Sequence, residues 1–459
     1  MEKKRLIAVL LCLAMALSLA GCGGNNSGEA NTGSNAAEQT GGETTGADDG
    51  GEAYTGPTGE ISWCSWGSDA EIEYNQKLSE AFMASHPGTT VIYEAFNEDY
   101  NTAVETRFIG GQSPDVIYGH PSTMLKWMQE GMLMDISDIY EENDYLWDDE
   151  HYLTNVYDLF QYEGKYFATV AGADTFVLYY NKTALDEAGL PYPDQNTTWE
   201  ELADMARQLT SFDDDGVPIT FGLNYYNGYY QVFPILYAFG AKFLDDMDNP
   251  TEVVFDSPET VAALTWVQNS QLGDDRFAPA GDDFGYLSGA WFPTGEFAFH
   301  ISGVYDIVFM TGIEDFEWDI APLPQTMQKE GDTTILTAGY AVSSQTDNEE
   351  LAKEFVRWCT TEEAQKIIAG SGIFTPVNID AATDPEILGI PGAPEHHSLR
   401  VETVPYGQNL QGQCLCWEEM ISIYNSYMDQ LNRGQITPEE CARAVDQECQ
   451  ALLDAELAG

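Results

Sequence analysis

Strand-like and helix-like runs alternate along most of this chain. Residues 61–66 and 90–96 have the β-branched and aromatic composition of short strands, and residues 71–85 between them carry apolar side chains at helical spacing. Helix starts are marked by capping residues, as where Thr198 precedes Glu201 by three positions. This alternation predicts an α/β fold.

The length of the chain constrains the number of cores. At 459 residues it exceeds what one ordinary hydrophobic core accommodates. We therefore expect two lobes.

The N-terminus has the composition of a targeting signal. Lys3, Lys4 and Arg5 form a basic start, and residues 6–19 carry no charge. A helix of that length reaches about 21 Å at ~1.5 Å per residue, which is short of the ~30 Å hydrocarbon core of a bilayer. Residues 1–21 are therefore predicted to be a secretory signal peptide rather than a membrane span.

The signal ends in a short motif, Leu19-Ala20-Gly21-Cys22, which resembles a bacterial lipobox. The resemblance implies cleavage before the cysteine and transfer of a diacylglycerol to its sulfur. Lipidation at Cys22 would hold the protein at the extracellular face of a bacterial cell membrane. The alternative is an ordinary signal peptide followed by a chance cysteine.

A segment of low complexity follows. Residues 23–53 contain only Gly, Asn, Ser, Thr, Ala, Gln, Glu and Asp, and cannot bury enough apolar area to offset their ordering entropy. We predict a disordered tether over residues 22–56, with a root-mean-square reach of about 30 Å.

The charge balance excludes one class of partner. The chain has 18 basic and 76 acidic side chains, a net charge of −58. A surface this acidic repels phosphate groups, so no nucleic-acid partner is expected.

Six cysteines remain when Cys12 leaves with the signal and Cys22 is lipidated. They are Cys64, Cys359, Cys414, Cys416, Cys441 and Cys449. Export permits disulfides without requiring them, and the pairing cannot be assigned from the sequence. Cys414-x-Cys416 lacks the CxxC spacing usual for zinc and has no second pair nearby, so we interpret both as core or disulfide cysteines. We predict no metal site and no cofactor.

Several blocks, taken in order, resemble extracellular solute-binding protein family 1 of ABC importers, the maltose-binding-protein-like group. They include TGEISWCSWG at 58–67, GKYFATVAGADTFVLYYNKTALDEAGL at 164–190, GEFAFHISGVYDI at 295–307 and TAGYAVSSQTDNEELAKEFVRWCTTEEAQ at 337–365. The blocks extend over nearly the whole chain after the tether.

The resemblance implies a two-lobe fold of the type II periplasmic-binding-protein class, with the ligand cleft between lobes that are joined by hinge crossovers. Family crossovers fall near Ala173, Phe299 and Asp332. Each lobe would be discontinuous: an N-terminal lobe of residues 57–173 and 300–332, and a C-terminal lobe of residues 174–299 and 333–459.

Sugars present apolar C–H faces that stack on aromatic rings, and hydroxyl rims that bond to carboxylates and amides. We predict ligand contacts from aromatic and acidic side chains at probable strand ends and loops: Trp66, Tyr118, Asp174, Tyr225, Trp291, Tyr305 and Tyr340. The resemblance supports three of them, because Trp66 and Tyr305 match family cleft positions and Asp174 precedes a strand where the family often places a polar contact. The competing interpretation is packing in the core or, for Asp174, a solvated carboxylate.

The resemblance thus implies a monomeric lipoprotein, not an enzyme, that captures a carbohydrate by lobe closure and delivers it to the permease subunits of an ABC importer. A surface glycoside hydrolase is the first alternative and would need two carboxylates fixed ~5–9 Å apart across a cleft. A structural or adhesive lipoprotein without a small ligand is the second.

Overall fold

The computed structural model describes residues 54–96, 99–214, 218–225, 228–280, 292–329 and 331–458. The predicted signal peptide, the predicted lipidation site Cys22 and most of the predicted tether lie outside these residues. From Tyr54 onward the chain forms one compact unit. None of the helices within the described ranges combines the length and the apolar character that crossing a bilayer requires.

Strands and helices alternate as the sequence predicted. The strands are β1 (Gly59–Ser65), β2 (Thr89–Ala95), β3 (Val116–Gly119), β4 (Gln161–Tyr162), β5 (Lys165–Tyr166), β6 (Ala168–Asp174), β7 (Phe176–Asn181), β8 (Ser211–Phe212), β9 (Pro218–Tyr225), β10 (Phe297–Gly303), β11 (Trp318–Pro322), β12 (Thr333–Val342) and β13 (Gly407–Asn409).

The helices are α1 (Asp69–Ser85), α2 (Tyr100–Ile109), α3 (Pro121–Gln129), α4 (Ser137–Glu142), α5 (Lys182–Ala188), α6 (Trp199–Leu209), α7 (Tyr229–Ala238), α8 (Pro258–Gln271), α9 (Ile307–Met310), α10 (Glu349–Trp358), α11 (Glu362–Gly370), α12 (Ile379–Ala382), α13 (Pro385–Leu388), α14 (Leu399–Glu402), α15 (Trp417–Asn432) and α16 (Pro438–Leu457). Short 3-10 helices cover Asp144–Trp147, Thr154–Phe160, Phe292–Thr294, Val304–Asp306 and Val404–Tyr406. Helix α6 begins with the predicted capping box, in which the side chains of Thr198 and Glu201 each accept from the other's backbone N–H.

The first sheet has the strand order β13-β12-β3-β1-β2. Strand β6 also pairs with β12, on the edge opposite to β3. Strands β1, β2 and β3 are parallel, whereas β12 runs antiparallel to both β3 and β6. A continuous apolar cluster packs around this sheet and includes Trp63, Phe82 and Phe355. We call this sheet with its cluster the N-terminal lobe.

The second sheet has the strand order β11-β7-β10-β9-β8. The two faces of β7 serve different clusters, because Leu178 and Tyr180 join the large apolar cluster and Val177 and Tyr179 join a smaller one. Helices α15 and α16 also belong to the large cluster, through side chains such as Trp417. We call this sheet with its two clusters the C-terminal lobe.

The chain passes between the lobes at three places. Strand β6 of the first sheet and β7 of the second are separated by Thr175 alone. The chain returns between β11 and β12, and it passes to the C-terminal lobe again between β13 and α15. The Thr175 hydroxyl is hydrogen-bonded to that of Thr403, just before β13, so the first passage is tied to the segment that leads into the third.

The lobe boundaries differ from the predicted ones. The crossover expected near Ala173 lies within two residues of Thr175, but the one expected near Phe299 is absent, because that residue lies in β10, which pairs with β7 on one side and β9 on the other. Residues 300–332, predicted in the N-terminal lobe, therefore contribute strands to the C-terminal lobe, and β12, predicted in the C-terminal lobe, contributes to the N-terminal sheet.

All six cysteines of the described residues are buried and free. Cys441 and Cys449 are both fully buried in α16. Disulfide use, the alternative left open for Cys414 and Cys416, is not seen.

Strand β6 is enclosed by close backbone contacts. It pairs with β12 on one edge, and Gly172 forms an isolated bridge with Pro376. A Cβ atom on Gly172 would lie 2.6 Å from the carbonyl oxygen of Thr375 and 3.0 Å from the Cβ of Phe374. Only glycine permits this approach.

We expect Gly172→Ala to reduce the free energy of unfolding by about 1–3 kcal/mol, because the added methyl group must displace a backbone carbonyl. Urea denaturation measures the change. Gly312→Ala is the matched control, since an added Cβ there meets nothing within 4 Å. Equal effects of the two substitutions would contradict the close contact.

Candidate ligand-binding site

An aromatic cluster forms where strands β1 and β3 end. Tyr118 in β3 lies opposite Tyr340 in β12, with 5.2 Å between ring centroids. The ring of Trp66, one residue after β1, packs against Tyr118 at 4.7 Å. Tyr118 and Tyr340 are buried, whereas Trp66 is partly exposed. Of these three predicted residues, Trp66 therefore offers the accessible ring.

His120 lies beside this ring, with its imidazole 4.6 Å from Trp66 between centroids. Its Nδ1 is 2.8 Å from the carbonyl oxygen of Thr337, and because a carbonyl only accepts, Nδ1 carries the proton. Burial lowers the pKa of His120, which favours the neutral ring. Its Nε2 is consequently a hydrogen-bond acceptor next to the indole.

A glutamine connects the two lobes close to this ring pair. Gln411, just beyond β13, accepts at Oε1 from the Ser122 hydroxyl of α3 at 3.0 Å. Its Nε2 donates to the Tyr229 hydroxyl of α7 at 3.4 Å. The amide of Gln411 therefore bridges a helix of the N-terminal lobe and a helix of the C-terminal lobe.

The C-terminal lobe contributes tyrosines to the same boundary. The rings of Tyr229 and Tyr230 pack at 4.3 Å at the start of α7. Tyr305 follows β10 and folds back over Gly303, where a Cβ atom would lie 2.0 Å from the tyrosine ring. Burial, followed by the charge of Asp306, raises the pKa of Tyr305, and the charges of Tyr230 and Asp174 act in the same direction.

Asp174 ends β6 at the first crossover and is 1% exposed. Its Oδ1 accepts from the backbone N–H of Thr375 at 2.9 Å, and its Oδ2 has no hydrogen-bond partner. Burial raises the pKa of Asp174 to about 7, against the opposing charge of Arg400. The solvated-carboxylate interpretation of Asp174 is therefore wrong.

Arg400 is also fully buried, and neighbouring groups hold its guanidinium in place. It donates from Nε to the Thr375 hydroxyl at 3.1 Å and from Nη2 to the Phe374 carbonyl at 2.7 Å. Its Nη1 lies 3.3 Å from Nε2 of His397, whose pKa is lowered to about 4 by burial and by this positive charge. The neutral imidazole accepts the bond, and the positive charge of the guanidinium lowers the pKa of Asp174 against the effect of burial.

One of the predicted contacts, Tyr225, does not join this group. Tyr225 is buried in the C-terminal lobe, where its hydroxyl bonds Ser270 at 2.7 Å and accepts from Gln271 at 2.9 Å. Ligand binding by Tyr225 stays a prediction, and the burial of its side chain does not favour it. Trp291 lies outside the described residues.

The sequence did not single out several residues at the lobe boundary. Tyr229 and Tyr230 lie in the aromatic segment that begins at Asn224, which is a usable signal. Ser122 and Gln411 carry no such signal, because their importance follows from a contact between positions 289 residues apart.

A cavity of about 370 Å³ also lies between the lobes. Its lining includes Asn155 and Leu159 from the N-terminal lobe, Tyr237 and Met247 from the C-terminal lobe, and Gln408 of β13. Tyr237 is two helical turns beyond Tyr229 on α7, about 12 Å along its axis. The boundary between the lobes therefore includes an open cavity as well as direct side-chain contacts.

Two lobes, three crossovers and an aromatic, polar boundary are the features that the family resemblance predicted. The sequence pattern of bacterial extracellular solute-binding proteins matches residues 67–366. The chain belongs to this family. The family membership implied by the sequence blocks is confirmed.

Relatives of this solute-binding protein are distant. It is 24% identical to the maltotriose-binding protein of Pyrococcus abyssi over 330 residues, 70% of this chain and 67% of the relative. It is 24% identical to the galactooligosaccharide-binding protein of Bacillus subtilis over 398 residues, 84% of this chain and 83% of the relative.

Among solved structures, the ABC substrate-binding protein Lmo0181 of Listeria monocytogenes, in complex with cycloalternan, matches with a TM-score of 0.75 and 24% identity. The match covers 87% of this chain and 100% of that chain. Such likenesses confirm the predicted type II two-lobe fold.

The pKa of Asp174 predicts a pH dependence of stability. Its folded value of about 7 lies above the ~3.9 of an unfolded aspartate, so the folded solute-binding protein binds more protons between these values. The contribution of Asp174 to the free energy of unfolding therefore falls as the pH rises from about 4 to about 7.

Asp174→Asn removes this titration. The stability of the wild type relative to the variant is expected to fall by on the order of 4 kcal/mol across that window and to level off above it. Urea denaturation at pH 4 to 8 measures the difference, with the exposed Asp149→Asn as control. A difference that does not change with pH would contradict the assignment.

Proposed function

We propose that this solute-binding protein captures an extracellular carbohydrate, most readily an oligosaccharide, and delivers it to an ABC permease without chemical conversion. The observation that carries the proposal is the partly exposed Trp66 ring beside His120, next to the Gln411 bridge between the lobes. The sugars in the names of the relatives support the same ligand class.

The groups at this boundary match the chemistry of a sugar. The indole of Trp66 supplies a face for C–H groups, and the neutral Nε2 of His120 accepts from a hydroxyl. Ser122, Gln411 and Tyr229 already form a chain of hydrogen bonds across the boundary. A sugar hydroxyl can bond to one of these side chains or take the place of one of these bonds. Asp174 adds a buried carboxyl oxygen that has no partner.

Lobe closure supplies the signal to the permease. The first crossover has the single residue Thr175 between strands of different sheets, so small changes in its backbone angles reorient one sheet relative to the other. A sugar that contacts both Trp66 and Tyr305 makes more contacts when the lobes close. Because the sugar binds the closed form with the more favourable free energy, it shifts the population towards that form.

Attachment to the membrane completes the proposal. A diacylglycerol on Cys22 and a tether over residues 22–56, with a root-mean-square reach of about 30 Å, would keep the folded body close to the membrane that holds the permease. The monomeric state and the extracellular position of the protein belong to the same proposal.

A ligand panel tests the function. The purified protein is titrated with maltotriose, galacto-oligosaccharides, mannitol and glycerophosphocholine, and intrinsic fluorescence and thermal shift are recorded together with chromatography of the sugars. We expect a saturable response to an oligosaccharide with no product formed. Product formation would favour the hydrolase, and silence across the panel would contradict a sugar-binding role.

Trp66→Ala tests the site. We expect binding of the responding sugar to weaken by roughly tenfold or more, because the stacking face is lost. Trp147→Ala is the matched control: this tryptophan of the same lobe is 46% exposed, but it packs with Tyr140 and Tyr157. Equal affinity of Trp66→Ala and wild type would remove Trp66 from the site.

Cys22→Ser tests the anchor. In a producing bacterium fed an alkyne-labelled fatty acid, the wild type is expected to carry label and to sediment with membranes. The variant should lose both properties, because serine has no thiol to accept the diacylglycerol. Cys12→Ser, which lies within the predicted signal peptide, should behave as the wild type. Labelled Cys22→Ser protein would contradict lipidation at this cysteine.

A further inference from the structure

Two cysteines and a glutamate converge in the C-terminal lobe. Cys414 and Cys416 lie just before α15 and are 3% and 7% exposed. Glu456 lies in the last turn of α16. The two Sγ atoms and a carboxylate oxygen of Glu456 all lie within 4.8 Å of one another. In the part of the chain that the structure describes, this is the one group of three such residues at that separation.

Backbone hydrogen bonds fix the carboxylate in this position. One oxygen of Glu456 accepts from the N–H of Leu415 and the other from the N–H of Cys416, both at 2.9 Å. Each oxygen keeps a further lone pair after accepting one bond. The carboxylate is thus held by the loop that carries both thiols, as second-shell bonds hold the ligands of metal sites.

The C-terminal end of α16 makes this position favourable for a cation. Glu456 lies at the negative end of α16, whose last turn contains no basic residue. An acidic group is unfavourable there unless a positive charge lies nearby.

We propose that Cys414, Cys416 and Glu456, none of them a proposed ligand contact, form a binding site for a thiophilic divalent cation of the zinc class. On binding, the two thiols release their protons to solvent and each sulfur forms a bond to the ion, while Glu456 supplies a third bond from oxygen. A water molecule can occupy the fourth position.

The distances are compatible with this assignment. Zinc binds sulfur at about 2.3 Å and carboxylate oxygen at about 2.0–2.2 Å, so ligand atoms around a tetrahedral ion lie roughly 3.6–3.8 Å apart. Atoms within 4.8 Å of one another therefore need to move by about 1 Å. Leu415 is 47% exposed, so the loop lies at the surface, where an ion can enter.

The site differs from the sequence-based interpretation. The spacing CxC and the absence of a second pair predicted core or disulfide use. The third ligand comes from a residue 40 positions away from Cys416, which no local motif reveals.

Equilibrium dialysis of the purified, reduced protein against Zn²⁺, followed by metal analysis, tests the proposal. We expect one equivalent of Zn²⁺ and no retention of Ca²⁺, which prefers oxygen ligands. Cys416→Ser and Glu456→Gln should each weaken binding at least tenfold, with Glu456→Gln keeping both thiols. Cys441→Ala, a buried cysteine in the helix that carries Glu456, is the matched control and should bind as the wild type does.

Thermal unfolding gives a second measurement. Zn²⁺ should raise the melting temperature of the wild type and of Cys441→Ala, and should not raise that of Glu456→Gln, because the ion links the 414–416 loop to α16. Zinc retention that survives both site substitutions would overturn the assignment. So would a Cys414–Cys416 disulfide found by mass spectrometry in the protein as isolated, since neither sulfur could then bind the ion.

Discussion

The pairing of β6 with β12 is the constraint on which the two-lobe arrangement depends. The register places Asp174 opposite Leu336 at the point where β6 leaves the first sheet, and Leu336 also packs against the core of the second lobe. Strand β12 thus belongs to one sheet by its hydrogen bonds and touches both cores. The close contact at Gly172 fixes the other side of β6. Of the residues proposed to meet the ligand, Asp174 ends β6, Tyr340 lies in β12 and Tyr118 pairs with Tyr340.

The candidate site combines groups of very different rigidity. Tyr118 and Tyr340 are buried under Trp66, and Arg400 is held by three neighbours opposite Asp174, so these parts are set before any ligand arrives. The bridge through Gln411 is different, because its bond to Tyr229 is 3.4 Å long and joins two lobes. Preformed aromatic and charged groups, together with an adjustable amide, suit a receptor that distinguishes open and closed forms.

What the sequence predicted well is what depends on neighbouring residues. The capping box of Thr198 and Glu201 lies within one helical turn, and Trp66 follows a recognisable strand. The crossover assigned near Phe299 was wrong because the lobe of β10 is decided by pairing with β7, more than a hundred residues earlier in the chain. The burial of Tyr225 was missed for the same reason, because its hydroxyl is hydrogen-bonded to residues of α8, which are distant in the sequence. Neither pairing leaves a local pattern.

The hydrogen bond between Thr175 and Thr403 has a mechanical consequence. Three chain passages that bent independently would allow the lobes to twist, slide or tilt, and many partly closed shapes would compete. Joining the first passage to the segment that enters the third removes some of these degrees of freedom and leaves a motion nearer to rotation about a single axis. A receptor restricted in this way populates few partly closed conformations. A partner that recognises the closed form can therefore distinguish it from the open form with little ambiguity.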